Sequence, residues 1–257
     1  MTQLTLLTKA QNAGILKQTD RLLKDSFKDL DVEIRDLDVV GDRWIRVTLS
    51  GEDEAIATNF IRKEIGICPE SLERTEQYAT LKGYVINFGK NPEELQIDIG
   101  VFQPEPCYAA VPLKHLQATL VDGRKLALKK IAELFAFCDN LPTVIRVVAV
   151  DNANKRIEAE FAAAQLEKFA GWRQSLLDRL IVLGTSIHVI RRTLNQMGLD
   201  RDVVSVEPLG LFEHVLTCKL GTDAAGLISR VGRSLRDAKF VVFNPRKIME
   251  FLGTNPE

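Results

Sequence analysis

The residues best suited to chemistry in this chain are cations, and they are densest at Arg124, Lys125, Lys129 and Lys130. Cations so closely spaced suit nucleic-acid phosphates, because each neutralised phosphate releases counterions and adds affinity. Leu128, Ile131, Leu134 and Phe135 recur beside them at helical spacing. A helix over 126–137 would therefore bury its apolar side and turn the lysines outward. Phosphate contact and a plain solvated helix surface account for this pattern about equally well. A second constellation is His188, Arg191, Arg192 and Asn195, spaced i, i+3, i+4 and i+7 on one face of a helix over 186–197. Ile187, Ile190, Leu194 and Met197 take the opposite face. A third is Gly221, Thr222 and Asp223 ahead of a helix over 223–237, from which Arg230, Arg233 and Arg236 project. Free N–H groups at a helix start suit an anion, although Asp223 capping its own helix is the simpler reading.

Motifs for catalysis are lacking. His115, His188 and His214 form no HExxH or HxH pattern, and no serine lies in a GxSxG elbow. Cys68, Cys107, Cys138 and Cys218 are far apart, in apolar surroundings, and give no metal-ligand spacing. The acidic run from Asp20 to Asp38 reads as a solvated face, not a metal site. The expectation is no catalytic residue, no metal and no cofactor.

Positioning these residues takes three domains, which 257 residues can hold with ample core. With 46% hydrophobic and 27% charged residues and a net charge of −1, the chain is neither disordered nor globally basic. Its charge drifts from −3 over residues 1–75, through −1 over 76–162, to +3 over 163–257. No apolar run approaches the ~20 residues of a membrane span, and no signal peptide heads the sequence. A soluble cytoplasmic protein with reduced thiols is expected.

Residues 1–75 read as a β-α-β-β-α sandwich, ferredoxin-like, with strands over 4–8, 32–39 and 44–49 and helices over 12–27 and 55–64. Residues 76–162 read as a short antiparallel barrel with strands over 82–88, 95–101, 107–111, 143–150 and 156–161. A helical insertion over 117–141 carries the basic cluster. Residues 163–257 read as an α/β domain with a mixed sheet, and no internal repeat is visible. The fold class is thus multidomain α+β: N-terminal sandwich, central barrel, C-terminal α/β domain.

The segments LKGYVINFGK, IDIGV and VPLKHL resemble an OB-fold, more narrowly the RNA-binding barrel named after ribosomal protein S-one. With the CDNLP turn and LGLFEHVLTCKLGTDAAGLI, they are also similar to an archaeal family of uncharacterised proteins, over roughly 82–245. The first resemblance implies RNA as partner; the second implies an archaeal cytoplasmic setting and supplies no functional residues. Barrels of this kind bind single strands by stacking bases on aromatic rings and tracking phosphates with Lys and Arg. That makes Lys82, Tyr84, Phe88, Lys90, Phe102, Tyr108, Lys114 and His115 candidates. Only 7% of residues are aromatic, and the strand over 95–101 places leucine and glutamine where the resembling barrels place rings, which argues against base stacking. The expected function is a non-catalytic RNA-binding factor associated with ribosomal or transfer RNA and with a ribosomal subunit. The alternatives are a protein scaffold for transcription or RNA processing, and an enzyme with a site near His188 or Asp223.

Overall fold

The computed structural model describes residues 1–253. Two compact units emerge, Met1–Thr75 with Ile99–Cys107, and Glu76–Asp98 with the chain from Tyr108 onward.

The first unit begins with β1 (Thr2–Lys9), α1 (Ala13–Ser26), β2 (Glu33–Val40), β3 (Trp44–Ser50) and α2 (Glu54–Glu64), and ends in the two-residue β4 (Glu70–Ser71). Asn12 starts α1 by accepting the Gly14 N–H on its side chain, a standard N-cap. The strands form an antiparallel sheet in the order β1-β3-β2. Ile67 bridges antiparallel to Leu6, placing a rudimentary fourth strand beside β1. Leu4, Leu6, Val47 and Leu49 from the sheet are buried, as are Ile15, Leu23, Ala57 and Ile61 from the helices.

Next come β5 (Thr80–Ile86), β6 (Glu94–Gln103), β7 (Cys107–Pro112), α3 (Leu113–Leu120), α4 (Leu128–Phe135), β8 (Pro142–Asp151) and β9 (Arg156–Phe161). Pairing runs β6-β5-β8-β9-β7, and β7 returns to β6, so five strands close a barrel of OB-like order. β7 and β9 run parallel. At Gly100 (φ +82) a Cβ would lie 2.5 Å from the Cys68 side chain, so only glycine lets β6 pass there.

The stretch over 117–141 holds the end of α3 and all of α4, whose apolar sides are buried. Leu116, Leu120, Leu128, Ile131, Leu134 and Phe135 are all buried. The segment VPLKHL runs into α3 where the barrel strand ends.

The remaining elements are α5 (Ala163–Gln174), β10 (Arg179–Leu183), α6 (Ile187–Gln196), β11 (Val203–Pro208), β12 (Glu213–Cys218), α7 (Ala224–Val231), β13 (Lys239–Phe243) and α8 (Pro245–Leu252). Their sheet, β11-β12-β10-β13, is antiparallel at every pairing, not the mixed sheet of an α/β domain. The first strand lies between the third and fourth, a split β-α-β-β-α-β arrangement. β1 lies likewise between β3 and the Ile67 segment, so the chain carries at both ends a topology that no sequence repeat announces.

One face of the C-terminal sheet, with Leu180, Val182, Leu216 and Cys218, packs against Ile190 and Leu194 of α6 and Leu227 and Val231 of α7. Phe243 of β13 joins Phe135, Phe169 and Trp172 in a set of ring contacts with centroids 5.1–6.4 Å apart. These rings therefore hold layers together.

Candidate nucleic-acid interface

The basic stretch around α4 divides into one structural residue and several exposed ones. Arg124 sends Nη1 to the Phe251 carbonyl and Nη2 to the Leu252 carbonyl, both at 2.6 Å. Its guanidinium also lies 5.7 Å from the Phe251 ring. Arg124 thus caps the C-terminus of α8, where the helix dipole favours a cation, and is not a free phosphate contact. Lys125, ahead of α4, is exposed, as are Lys129 and Lys130, on the side of the helix away from Leu128, Ile131, Leu134 and Phe135. Lys130 reaches Glu133 at 3.3 Å, while Lys125 and Lys129 have no ion pair among the described residues. α8 packs beside α4 and exposes Arg246 and Lys247.

The aromatic candidates of the barrel fare differently. Tyr84 is 2% exposed, with its hydroxyl donating to Glu213 Oε2 at 3.2 Å, so it stacks on no base. It sits mid-strand opposite Asp98, with Glu213 of β12 covering its hydroxyl. Phe102 is half-buried against Gly41 and the Arg46 guanidinium. Phe88 and Tyr108 are half-buried. Phe88 lies in the β5–β6 loop, its N–H donating to Asp139 Oδ1 at 2.8 Å. In the same loop Lys90 donates to Asn87 Oδ1 at 2.8 Å. Lys82 on β5 and Lys114 at the start of α3 are exposed.

His115 is half-buried. Its Nε2 accepts the Phe161 N–H at 3.3 Å, and Nδ1 lies 3.8 Å from Glu160. Burial lowers its pKa and Glu160 opposes that. A ring accepting on Nε2 carries its proton on Nδ1, facing the carboxylate, so His115 ties α3 to β9 rather than offering itself to a ligand.

In the C-terminal sheet domain, His188, Arg191 and Arg192 share the exposed side of α6, with Ile190 and Leu194 buried beneath. Arg230 is paired with Asp202 at 2.8 Å. α7 stops at Val231, not near 237, so Arg233 and Arg236 lie beyond it; both are exposed, and Arg236 donates to the Arg233 carbonyl at 3.2 Å.

The expected anion site at the start of α7 is already filled by carboxylates. Asp223 accepts from the Ala225 and Gly226 N–H groups, and Asp178 from that of Ala224. A cavity of about 250 Å³ borders these acids, with Lys219, Thr222, Asn244 and Arg246 in its wall.

One exposed aromatic went unnoticed in the sequence. Tyr78, in the connection before β5, is 63% exposed, with the Arg146 guanidinium 5.9 Å from its ring.

With this geometry in view, comparison with known proteins gives one clear relationship. In sequence, the DUF2110 N-terminal domain matches residues 5–71, the DUF2110 central domain 75–173 and the DUF2110 C-terminal domain 177–243. The chain belongs to the DUF2110 family. In this DUF2110 member the central match takes in the closed barrel, both of its helices and α5. No curated protein matches the sequence.

Solved structures similar to it include an uncharacterized protein from Methanocaldococcus jannaschii, at 11% identity and TM-score 0.24, covering 35% of this chain and 95% of that one. A chain of an a/eIF2alpha–aDim2p–rRNA complex from Pyrococcus horikoshii matches at 11% identity and TM-score 0.26, over 50% and 70%. The intact alpha subunit of aIF2 from Pyrococcus abyssi matches at 10% identity and TM-score 0.27, over 65% and 97%. Among the described residues no helix is long and apolar enough to cross a membrane.

Proposed function

We propose that this chain is a non-catalytic RNA-binding factor whose partner is ribosomal or transfer RNA. The observation that carries the reading is the outer face of α4. Lys129, with Lys125 just ahead of the helix, stands exposed with no ion pair among the described residues, beside Lys130, and the neighbouring α8 exposes Arg246 and Lys247. Lysines neutralised by neighbouring carboxylates gain little from a phosphate, whereas unpaired ones release counterions when they meet it. Lys82 and Lys114 on the barrel, and His188, Arg191, Arg192 and Arg233 in the C-terminal domain, extend the contact. Arg124, Arg230, Tyr84 and His115 take structural roles and leave the interface.

The test is sedimentation of native lysate through a sucrose gradient, probing for the protein with and without ribonuclease. Comigration with RNA-containing particles, lost after ribonuclease or at high salt, is expected. Persistence at the top of the gradient in every sample would overturn the reading.

A further inference from the structure

Tyr78 combines two features that each carry a cost. Its φ of +66° lies in the left-handed region, uncommon for a bulky side chain and strained by about 1–3 kcal/mol. Its ring is 63% exposed when burial against the barrel would stabilise the fold. The backbone around it is nonetheless well held. The Tyr78 N–H donates to the Val147 carbonyl at 2.9 Å, and the Gln77 side chain donates to the Val148 carbonyl at 2.9 Å.

The cation beside the ring is held too. Arg146 Nε donates to Glu160 Oε1 at 2.7 Å, and Glu160 in turn lies 3.8 Å from His115 Nδ1. A tyrosine fixed in this way, with its outward ring held by a guanidinium that Glu160 anchors, matches what an unpaired base needs: a flat π-face already ordered.

On β5, the exposed side chain of Lys82 has no hydrogen bond or ion pair among the described residues. Half-buried Lys168 of α5 is near enough to feel it: burial first, and Lys82 second, lower the Lys168 pKa, with Glu207 opposing.

We propose that Tyr78 is a stacking platform for one unpaired base of single-stranded RNA, with the exposed Lys82 of β5 meeting a neighbouring phosphate. This rests on the RNA-binding reading and adds to it a site on the outer surface of the barrel.

The experiment titrates the full chain against a short fluorescent oligoadenylate and against a blunt RNA duplex, comparing wild type with Tyr78→Ala, Tyr78→Trp and a Lys125→Glu/Lys129→Glu/Lys130→Glu variant. Tyr78→Ala should weaken single-strand binding about 5- to 150-fold, the range for losing one stacked base. Its salt dependence and thermal midpoint should stay those of wild type, because no charge and no buried contact is lost. Tyr78→Trp should bind like wild type, and duplex binding should not respond to either change. If Tyr78→Ala binds the oligoadenylate like wild type while the lysine variant weakens, the platform is refuted and the RNA-binding reading stands. If wild type binds neither RNA, both fall. If Tyr78→Ala and Tyr78→Trp are equally impaired and both melt early, Tyr78 is structural and the platform is again refuted.

Discussion

Acid should loosen the C-terminal sheet through His214, and Gln in its place should relieve that sensitivity. His214 on β12 is 2% exposed, and its Nδ1 has no hydrogen-bond partner among the described residues. Burial pushes its pKa from 6.5 down to about 4, with Arg191 adding repulsion and a hydrogen bond to the Thr185 backbone working the other way. The folded chain therefore holds the ring neutral, while the unfolded chain takes up a proton near 6.5. Stability is unaffected by this residue above about pH 6.5, falls as pH drops from 6.5 toward 4, and levels off below. The gap between the two values corresponds to about 3 kcal/mol at the acid end.

The assay is urea unfolding followed by tryptophan fluorescence at a series of pH values, in a Trp44→Phe background. Trp172, packed on Phe243, then reports on the C-terminal layers. His214→Gln keeps a side-chain donor and carries no titrating group. Carboxylates such as Asp151, whose pKa hydrogen bonds from Asn154 lower, titrate alike in both proteins and cancel in the difference. The wild type should lose about 3 kcal/mol more than the variant between pH 7 and 4. Parallel pH profiles would refute the reasoning.

Other consequences are simpler to check. Arg124→Ala should destabilise by about 1–3 kcal/mol by uncapping α8, read as a lower thermal midpoint, with Arg124→Lys a poor substitute for the two-pronged bond. Gly100→Ala forces a methyl group onto Cys68 at a left-handed position and should cost several kcal/mol, seen as loss of soluble, cooperatively melting protein. Cys138 and Cys218 are buried, with pKa values pushed up to about 11 and about 12 by burial, so neither should react with an alkylating reagent at neutral pH until denaturant is added.

What could be read from sequence was local. The cap at Asn244 with Pro245 behind it placed α8, and the helical spacing of Leu128, Ile131, Leu134 and Phe135 placed α4. Strand β13 was likewise plain from its own apolar run. Pairing was not legible. β10 takes β12 on one side and β13 on the other through residues tens of positions apart, and nothing in LIVL says antiparallel. For the same reason Tyr84 looked available: alternation along β5 reveals that two sides differ, but not which side the distant Glu213 will cover. Arg124 looked like part of a basic cluster because its partners are carbonyl oxygens of α8, which have no sequence signature. Tyr78 lies in a linker, and neither its left-handed backbone nor its exposure has a signature in composition or spacing.

The most direct test of RNA binding by this face is the salt dependence of affinity for a structured RNA, wild type against Lys125→Glu/Lys129→Glu/Lys130→Glu. The wild-type binding constant should fall linearly with salt on logarithmic axes, and the variant should bind more weakly with a slope shallower by about 2. Affinity that ignores salt, or superimposable lines for the two proteins, would contradict the account.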